Sequence, residues 1–356
     1  MEEGVESIVI KKEFSKNALH IDPKREIAKI SKRLRDVMVN RLKRRGVIIG
    51  LSGGIDSSVT IALAVKAFGQ TRVLALLMPE RHSASETLKL SSIVADHFGV
   101  ESIHEDISGI LEAVGFYRRY DEAVRLVIPE YGEGWKSKIV TPDITKTKGF
   151  TLFSIVALSP DSTIVKKRLP LKPYLEIVAA TNFKQRIRKM LEYYHADRLN
   201  FAVAGTPNRL EYDQGFFVKT GDGAADVKPI AHLYKTQVYQ LAESLGVPEE
   251  IRKRPPTTDT YSLAQGQDEF YFSLPYDKMD LCLYGKNNGV SVESVASVID
   301  LTPEQVQRVY DDIDTKRSTT RYLHLPPLLL DDVPEVNYHP KMDGLDGDPK
   351  RKRVFV

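Results

Sequence analysis

The chain has 356 residues, 42% of them hydrophobic and 28% charged, with a formal net charge of +3. That allows one large domain or two modest ones, and it is too little net charge to argue for nucleic-acid binding. A single cysteine, Cys282, excludes an intrachain disulfide framework and a cysteine-built zinc site. No run approaches the ~18 apolar residues of a membrane span, and the acidic N-terminus is not a secretory leader, so a soluble, reducing, cytoplasmic setting is expected.

A polar N-terminal segment covers residues 1–21. Asp22-Pro23 then reads as a helix start, with Asp as N-cap and Pro in the first turn ahead of apolar residues at helical spacing. VIIGL (47–51) reads as a buried strand, SSVTIALAVKAFG (57–69) as a helix closed by Gly69, and RVLALLMP (72–79) as a second buried strand. SASETLKLSSIVADHFG (83–99) reads as the next helix. This alternation predicts an α/β fold, a doubly wound parallel sheet with flanking helices. From about 125 to 173 the pattern breaks. There FTLFSIVAL and TIVKKRLPL, separated by Ser159-Pro160-Asp161-Ser162, predict an inserted β-hairpin. LNFAVAG (199–205) resumes the strand pattern, and the main domain is expected over 22–330. The tail, 331–356, is polar and reads as an extended or disordered arm, its Lys350-Arg351-Lys352-Arg353 run solvated rather than a nucleic-acid signal.

Two motifs overlap in GVIIGLSGGIDSSVTIALAV (46–65). Gly50-Leu51-Ser52-Gly53-Gly54 fits the G-x-S-x-G elbow of a serine hydrolase, which needs an acid and then a histidine downstream. Asp222 with His232 or His324 are the candidates for those roles. Ser52-Gly53-Gly54-Ile55-Asp56-Ser57 fits instead a small-residue loop around pyrophosphate. Glycines let the backbone approach an anion, the following helix start adds about half a positive charge, and the hydroxyls donate. The loop lacks G-K-[ST] and is not a Walker A site. A carboxylate inside a phosphate loop is repulsive unless a cation sits between, so Asp56 suggests Mg²⁺. G-x-S-x-G alone is a weak pattern, and the phosphate reading is preferred.

SGGIDSS (52–58) resembles the pyrophosphate loop of the N-type ATP pyrophosphatases, which have an adenine nucleotide alpha hydrolase-like fold and adenylate a carboxyl or carbonyl oxygen. Within that group the second half of the chain is similar to NAD synthetase. The similarity rests on GTPNRLEYDQGFFVKTGDGAADVKPIAHLYKTQVYQLAESLGVPEEI (205–251) and PPTTD (255–259), with weaker matches in NFKQRIRKM (182–190) and DTKR (314–317). It runs from about Asp22 to Arg317, interrupted by the insert. The resemblance implies adenylation of deamido-NAD by ATP and displacement of AMP by ammonia. Ser52, Gly53, Gly54 and Ser57 would then hold pyrophosphate, with Ser58 as helper, and Asp56 and Glu211 would hold Mg²⁺. It further assigns Thr206, Lys235, Thr257 and Lys316 to ATP, and the loop after Pro79 to adenine. Arg186, Lys219 and Asp226 are assigned to deamido-NAD, and Asp222 to binding or deprotonating ammonium. Arg186 and Arg188 lie two apart on a predicted helix and cannot share one face, and Arg186 matches the family position better.

The chain departs from the family pattern at Thr315, where many members carry His, in the insert, and in the aromatic-rich segment 267–289. The last two fall on the acid-substrate side and leave open a different carboxylate substrate. The resemblance also implies a homodimer. Because no nitrilase-like segment precedes the first helix, ammonia is the expected donor unless a separate glutaminase subunit docks.

Overall fold

The computed structural model describes residues 14–83, 85–141, 153–258, 260–263, 265–266, 271–331 and 333. The start of the N-terminal segment, the tip of the insert and almost all of the C-terminal arm lie outside the described residues. The described residues up to Leu323 form one compact unit, and the few described residues from His324 onward are exposed.

Short apolar runs build a parallel sheet. Strand β1 (Val47–Gly50) pairs in parallel with β2 (Val73–Leu77) on one side and β7 (Ala202–Val203) on the other, and β2 pairs with β3 (Glu101–His104). The order is β3-β2-β1-β7. Successive strand side chains point to opposite faces, so both faces of an apolar run must be covered. Val47 and Ile49 enter a core with helices α1 (Pro23–Val37), α2 (Ile55–Phe68), α3 (Ser85–His97), α8 (Lys235–Ser244) and α9 (Glu249–Lys253). Ile48 enters the opposite core with α4 (Ser108–Ala113), α5 (Phe116–Arg125) and the long α6 (Leu171–Leu199). This is the doubly wound arrangement expected. A third core joins α7 (Arg209–Gln214) to α10 (Tyr276–Asn287), α11 (Val292–Ile299) and α12 (Pro303–Thr320), with Cys282 fully buried in it.

The boundaries differ from the sequence reading in instructive ways. Helix α2 starts at Ile55, before the expected Ser57, because extended Gly54 already serves as its N-cap. Strand β7 is only two residues long, since α6 continues through Leu199 and is closed by left-handed Asn200. In the insert, β5 (Ser154–Leu158) and β6 (Ile164–Arg168) form the expected antiparallel hairpin, and β4 (Lys136–Val140) adds a third strand on β5. Lys136 and Lys138 of β4 hide its inward Ser137 and Ile139 from a hydropathy reading. Those two residues pin a distant segment: Ser262 Oγ accepts the Ser137 N–H at 3.0 Å, and Gln265 Nε2 donates to the Ile139 carbonyl at 2.5 Å. Gln265 belongs to β9 (Gln265–Gly266), which pairs with β8 (Thr257–Thr258).

Candidate functional site

Between β1 and α2 the chain turns over the carboxyl edge of the parallel sheet, where open α/β sheets place ligands. Gly53 has φ +68°, and a Cβ there would lie 2.8 Å from Leu90 Cβ, so this turn requires glycine. Ser57 and Ser58 donate their hydroxyls to the Gly54 carbonyl at 3.1 and 2.8 Å, while Ser52 Oγ stays exposed and accepts the Gly54 N–H at 3.4 Å. Ser58 is thus an internal brace, and Ser52 stands at the mouth. The loop opens on a cavity of about 460 Å³, with no histidine among its described lining residues. His232 instead meets Glu26 Oε1 on α1 at 2.8 Å. A nucleophilic Ser52 would find no histidine among the described residues there, which disfavours the hydrolase reading.

Asp56, in the first turn of α2, faces the same cavity. It accepts from Asn208 Nδ2 at 3.1 Å and is ion-paired with the Lys235 ammonium. Asn208 is the N-cap of α7: its Oδ1 accepts the Glu211 N–H at 3.3 Å, and Glu211 Oε2 accepts the Asn208 N–H at 3.2 Å. This capping box sets Glu211 beside Asp56. Lys235 opens α8 and is 2% exposed, and Asp280 of α10 accepts the Lys235 and Thr236 amides at 3.2 and 2.7 Å.

The electrostatics follow from this packing. Burial, then the charge of Asp56, pushes Glu211 up to about 8 against the pull of Lys235. Burial works against the Lys235 charge, but Asp56 and Glu211 more than offset it and hold the ammonium above its ordinary value. Burial pushes Asp280 up to about 7, although the amides it accepts favour its charged form. One ammonium facing two enclosed carboxylates leaves an excess of oxygen donors and negative charge, which suits a hard divalent cation.

Helix α6 supplies the other wall. Lys184 donates to Glu80 Oε1 at 2.7 Å and to the Thr260 carbonyl at 3.1 Å, and Tyr117 donates to Glu80 Oε2 at 3.0 Å. Burial opposes the Glu80 charge, but Lys184 outweighs it and holds the carboxyl below its ordinary value. One turn on, Lys189 and Glu192 form a buried pair at 2.5 Å. Asp222 accepts the Val218 N–H at 2.7 Å, and burial raises both its carboxyl and that of Glu192. Phe153, just before β5, stacks on Tyr174 at 4.6 Å between ring centroids, and both line the cavity.

Of the residues nominated from sequence, Ser52, Gly54, Asp56, Ser57, Thr206, Glu211, Asp222 and Lys235 line this one cavity, while Gly53 and Ser58 brace its loop. Arg186 donates to the Lys219 carbonyl at 3.4 Å and Lys219 to the Tyr322 carbonyl at 2.7 Å, both outside the cavity lining. Asp226 accepts the Val203 N–H at 2.7 Å and so ties down β7. Lys316 donates to the Tyr271 carbonyl and to Asp312, each at 2.6 Å, and nears the cavity only through Tyr271. Thr257 falls in β8, and its side chain lies outside the described residues. Arg188, passed over in favour of Arg186, lines the cavity and donates to the Met78 carbonyl at 3.1 Å. Sequence reasoning missed Glu80, Lys184, Lys189, Glu192 and Asn208. The N-x-x-E signature could have exposed Asn208, and the polar stripe 181, 184, 185, 188, 189, 192 at helical spacing could have exposed the cavity face of α6.

Comparison with known proteins places the chain in a family. The NAD synthase family model matches residues 26–128 and 144–321, leaving out 129–143, which contain β4. The chain is 57% identical over 317 residues to the NH(3)-dependent NAD(+) synthetase of Mesorhizobium japonicum, covering 89% of this chain and 99% of that one. It is 36% identical over 266 residues to the enzyme of that name from Thermotoga maritima, covering 74% of this chain and 86% of the other. Among solved structures, NMN synthetase from Francisella tularensis superposes with a TM-score of 0.58 at 23% identity, over 87% of this chain and 100% of the other. NH3-dependent NAD synthetase from Campylobacter jejuni does so with 0.57 at 22%, again over 87% and 100%. At those identities the two structures speak to the fold alone. On the family match and the near-full-length relatives, the chain belongs to the NAD synthase family.

Proposed function

We propose that the protein makes NAD from deamido-NAD by ATP- and Mg²⁺-dependent amidation with ammonia, releasing AMP and pyrophosphate. The observation that carries this reading is the meeting of Asp56, Glu211 and Lys235 beside the Ser52-Gly53-Gly54 turn. A carboxylate repels nucleophiles. Transfer of AMP to it creates a mixed anhydride, and ammonia displaces AMP to leave the amide. The hydroxyls of Ser52 and Ser57 and the N-terminus of α2 hold pyrophosphate, with Thr206 and Lys235 beside it. Asp56 and Glu211 fit Mg²⁺, which when bound neutralises charge on the phosphate oxygens. Thr257 and Lys316 are assigned to ATP, Arg186, Lys219 and Asp226 to deamido-NAD, and Asp222 to ammonium. Ammonia as the donor is supported by the names of the relatives.

A homodimer is supported by α6. Leu171, Leu175, Met190 and Tyr194 are each more than half exposed along a stripe that winds round the helix, and Arg186 is exposed on the same stripe. Two copies joined there would bring Arg186 of one toward the substrate of the other. Among the described residues no helix is long and apolar enough to cross a membrane, and with soluble nucleotide substrates we place the enzyme in the cytoplasm.

The test is an end-point assay of the purified protein with ATP, Mg²⁺ and deamido-NAD, with ammonium in one tube and glutamine in another. NAD formed with stoichiometric AMP from ammonium alone is the expected result. ATP binding without NAD formation would sink this reading and direct the search to another carboxylate.

A further inference from the structure

Glu192 is only 6% exposed, yet it lines the cavity. Its Oε2 accepts from Lys189 at 2.5 Å, and its Oε1 has no hydrogen-bond partner among the described residues. A Cβ placed on Gly50 would fall 2.8 Å from that Oε1 and 3.3 Å from the Met78 methyl. The free oxygen therefore stands against the last residue of β1, where the pyrophosphate turn begins, with an apolar side chain close by. The charged groups that act on Glu192 are Lys189 and Arg188 on its own helix and Asp222 on the loop opposite. Asp222 has Oδ1 committed to the Val218 amide and thereby holds its loop.

At neutral pH the nitrogen donor is almost all ammonium, which has no lone pair. A group beside the acyl carbon has to take its proton. We propose that Glu192 does so: its free Oε1 accepts a proton from ammonium held between Glu192 and Asp222, while Lys189 fixes the carboxylate through the other oxygen. This rests on the amidation reading above. An N–H bond of ammonium breaks and its proton goes to Oε1. The freed lone pair forms the C–N bond, the acyl C–O bond breaks, and its electron pair leaves with AMP. The surplus proton on nitrogen passes to water, and Glu192 returns its own proton to water after product release.

The test uses full-length Glu192→Gln, which keeps shape and removes the base. Three rates are compared with the unaltered protein: deamido-NAD-dependent exchange of labelled pyrophosphate into ATP, NAD formation from ammonium, and hydroxamate formation from hydroxylamine, which arrives largely neutral with its own lone pair. The expected result is exchange within about twofold and a loss on the order of 10²–10³ in kcat/KM for ammonium, the usual worth of a positioned base. Hydroxylamine should lose far less, and the ammonium defect should shrink as pH rises and free ammonia accumulates. Equal losses with both nucleophiles, or loss of exchange, would overturn the proposal and leave Glu192 as a counter-ion for Lys189. If Glu192→Gln does not fold, Glu192→Asp is read on the same ratio of ammonium to hydroxylamine. Unaltered protein that exchanges no pyrophosphate with deamido-NAD would defeat the amidation reading itself and this proposal with it, before any variant is made.

Discussion

The wall formed by Asp56, Glu211 and Lys235 is assembled from the first turns of three helices, whereas the wall opposite is carried by the middle of one long helix. A helix start brings a partial positive charge and, where no side chain caps it, as at α2, free backbone amides, so it welcomes anions with few side chains. Mid-helix positions bring neither. Any polarity there has to come from side chains, and once buried those have to be paired: Lys184 with Glu80, Lys189 with Glu192. The first wall is suited to phosphate and metal, the second to holding and exchanging charge with an acid and an amine.

The sharpest way to break this division is Asp56→Ala. It should leave a folded protein by circular dichroism and reduce NAD formation on the order of 10³-fold, several kcal/mol of barrier. A loss below tenfold would mean that the three helix starts do not form the phosphate site. On the opposite wall, Lys184→Met should cost about 3 kcal/mol in urea unfolding, because Glu80 is left buried and charged. Adding Glu80→Gln should recover much of that, and a purely additive double variant would show that the pair is not coupled.

A smaller effect comes from pH. The Asp280 carboxyl is raised by burial to about 7 in the folded state and is ordinary when unfolded. Its contribution is fully present below the unfolded value, near 4, and is lost as pH rises through about 7. Stability without ligand should therefore fall from pH 5 to 8, by at most about 1.4 kcal/mol per pH unit from this group. Urea midpoints that rose steadily over that range would contradict it. Smallest is Asn208→Ala, which removes the cap of α7 and should cost about 1 kcal/mol. If activity falls further than stability explains, the capping box also sets Glu211.

The contrast explains what was legible in advance. Asp56 sits in a short run of small residues, and Glu211 and Lys235 each belong to one continuous block, so the motif and the site coincide. Two strands of the sheet were equally legible, because β1 and β2 are uninterrupted apolar runs, whereas β3, with mostly exposed side chains in ESIH, was not read. Lys184 and Glu80 are 104 positions apart, and only the fold brings them together. Lys189 and Glu192 at i, i+3 look like an ordinary solvated helix pair, and only their place in the long polar stripe of α6 sets them apart. Helix α5 and strand β4 escaped for a related reason: FYRRYDEAVR and KSKIV show their charges, while the aromatic and small residues that face inward are spaced between them.

Helix α6 has 29 residues, about 44 Å at the usual rise, and it turns different sides to the sheet core, the cavity and the exterior. Ile177, Ala180 and Ile187 enter the sheet core, Thr181, Lys184, Arg188 and Glu192 border the cavity, and Leu171, Leu175, Met190 and Tyr194 point outward. Removing or adding a single residue near its middle would rotate everything beyond it by about 100°. Apolar side chains would then enter the cavity and charges the core. Its length is therefore locked by geometry, and changes in chain length that accumulate in this protein should be found on either side of α6 and not within it.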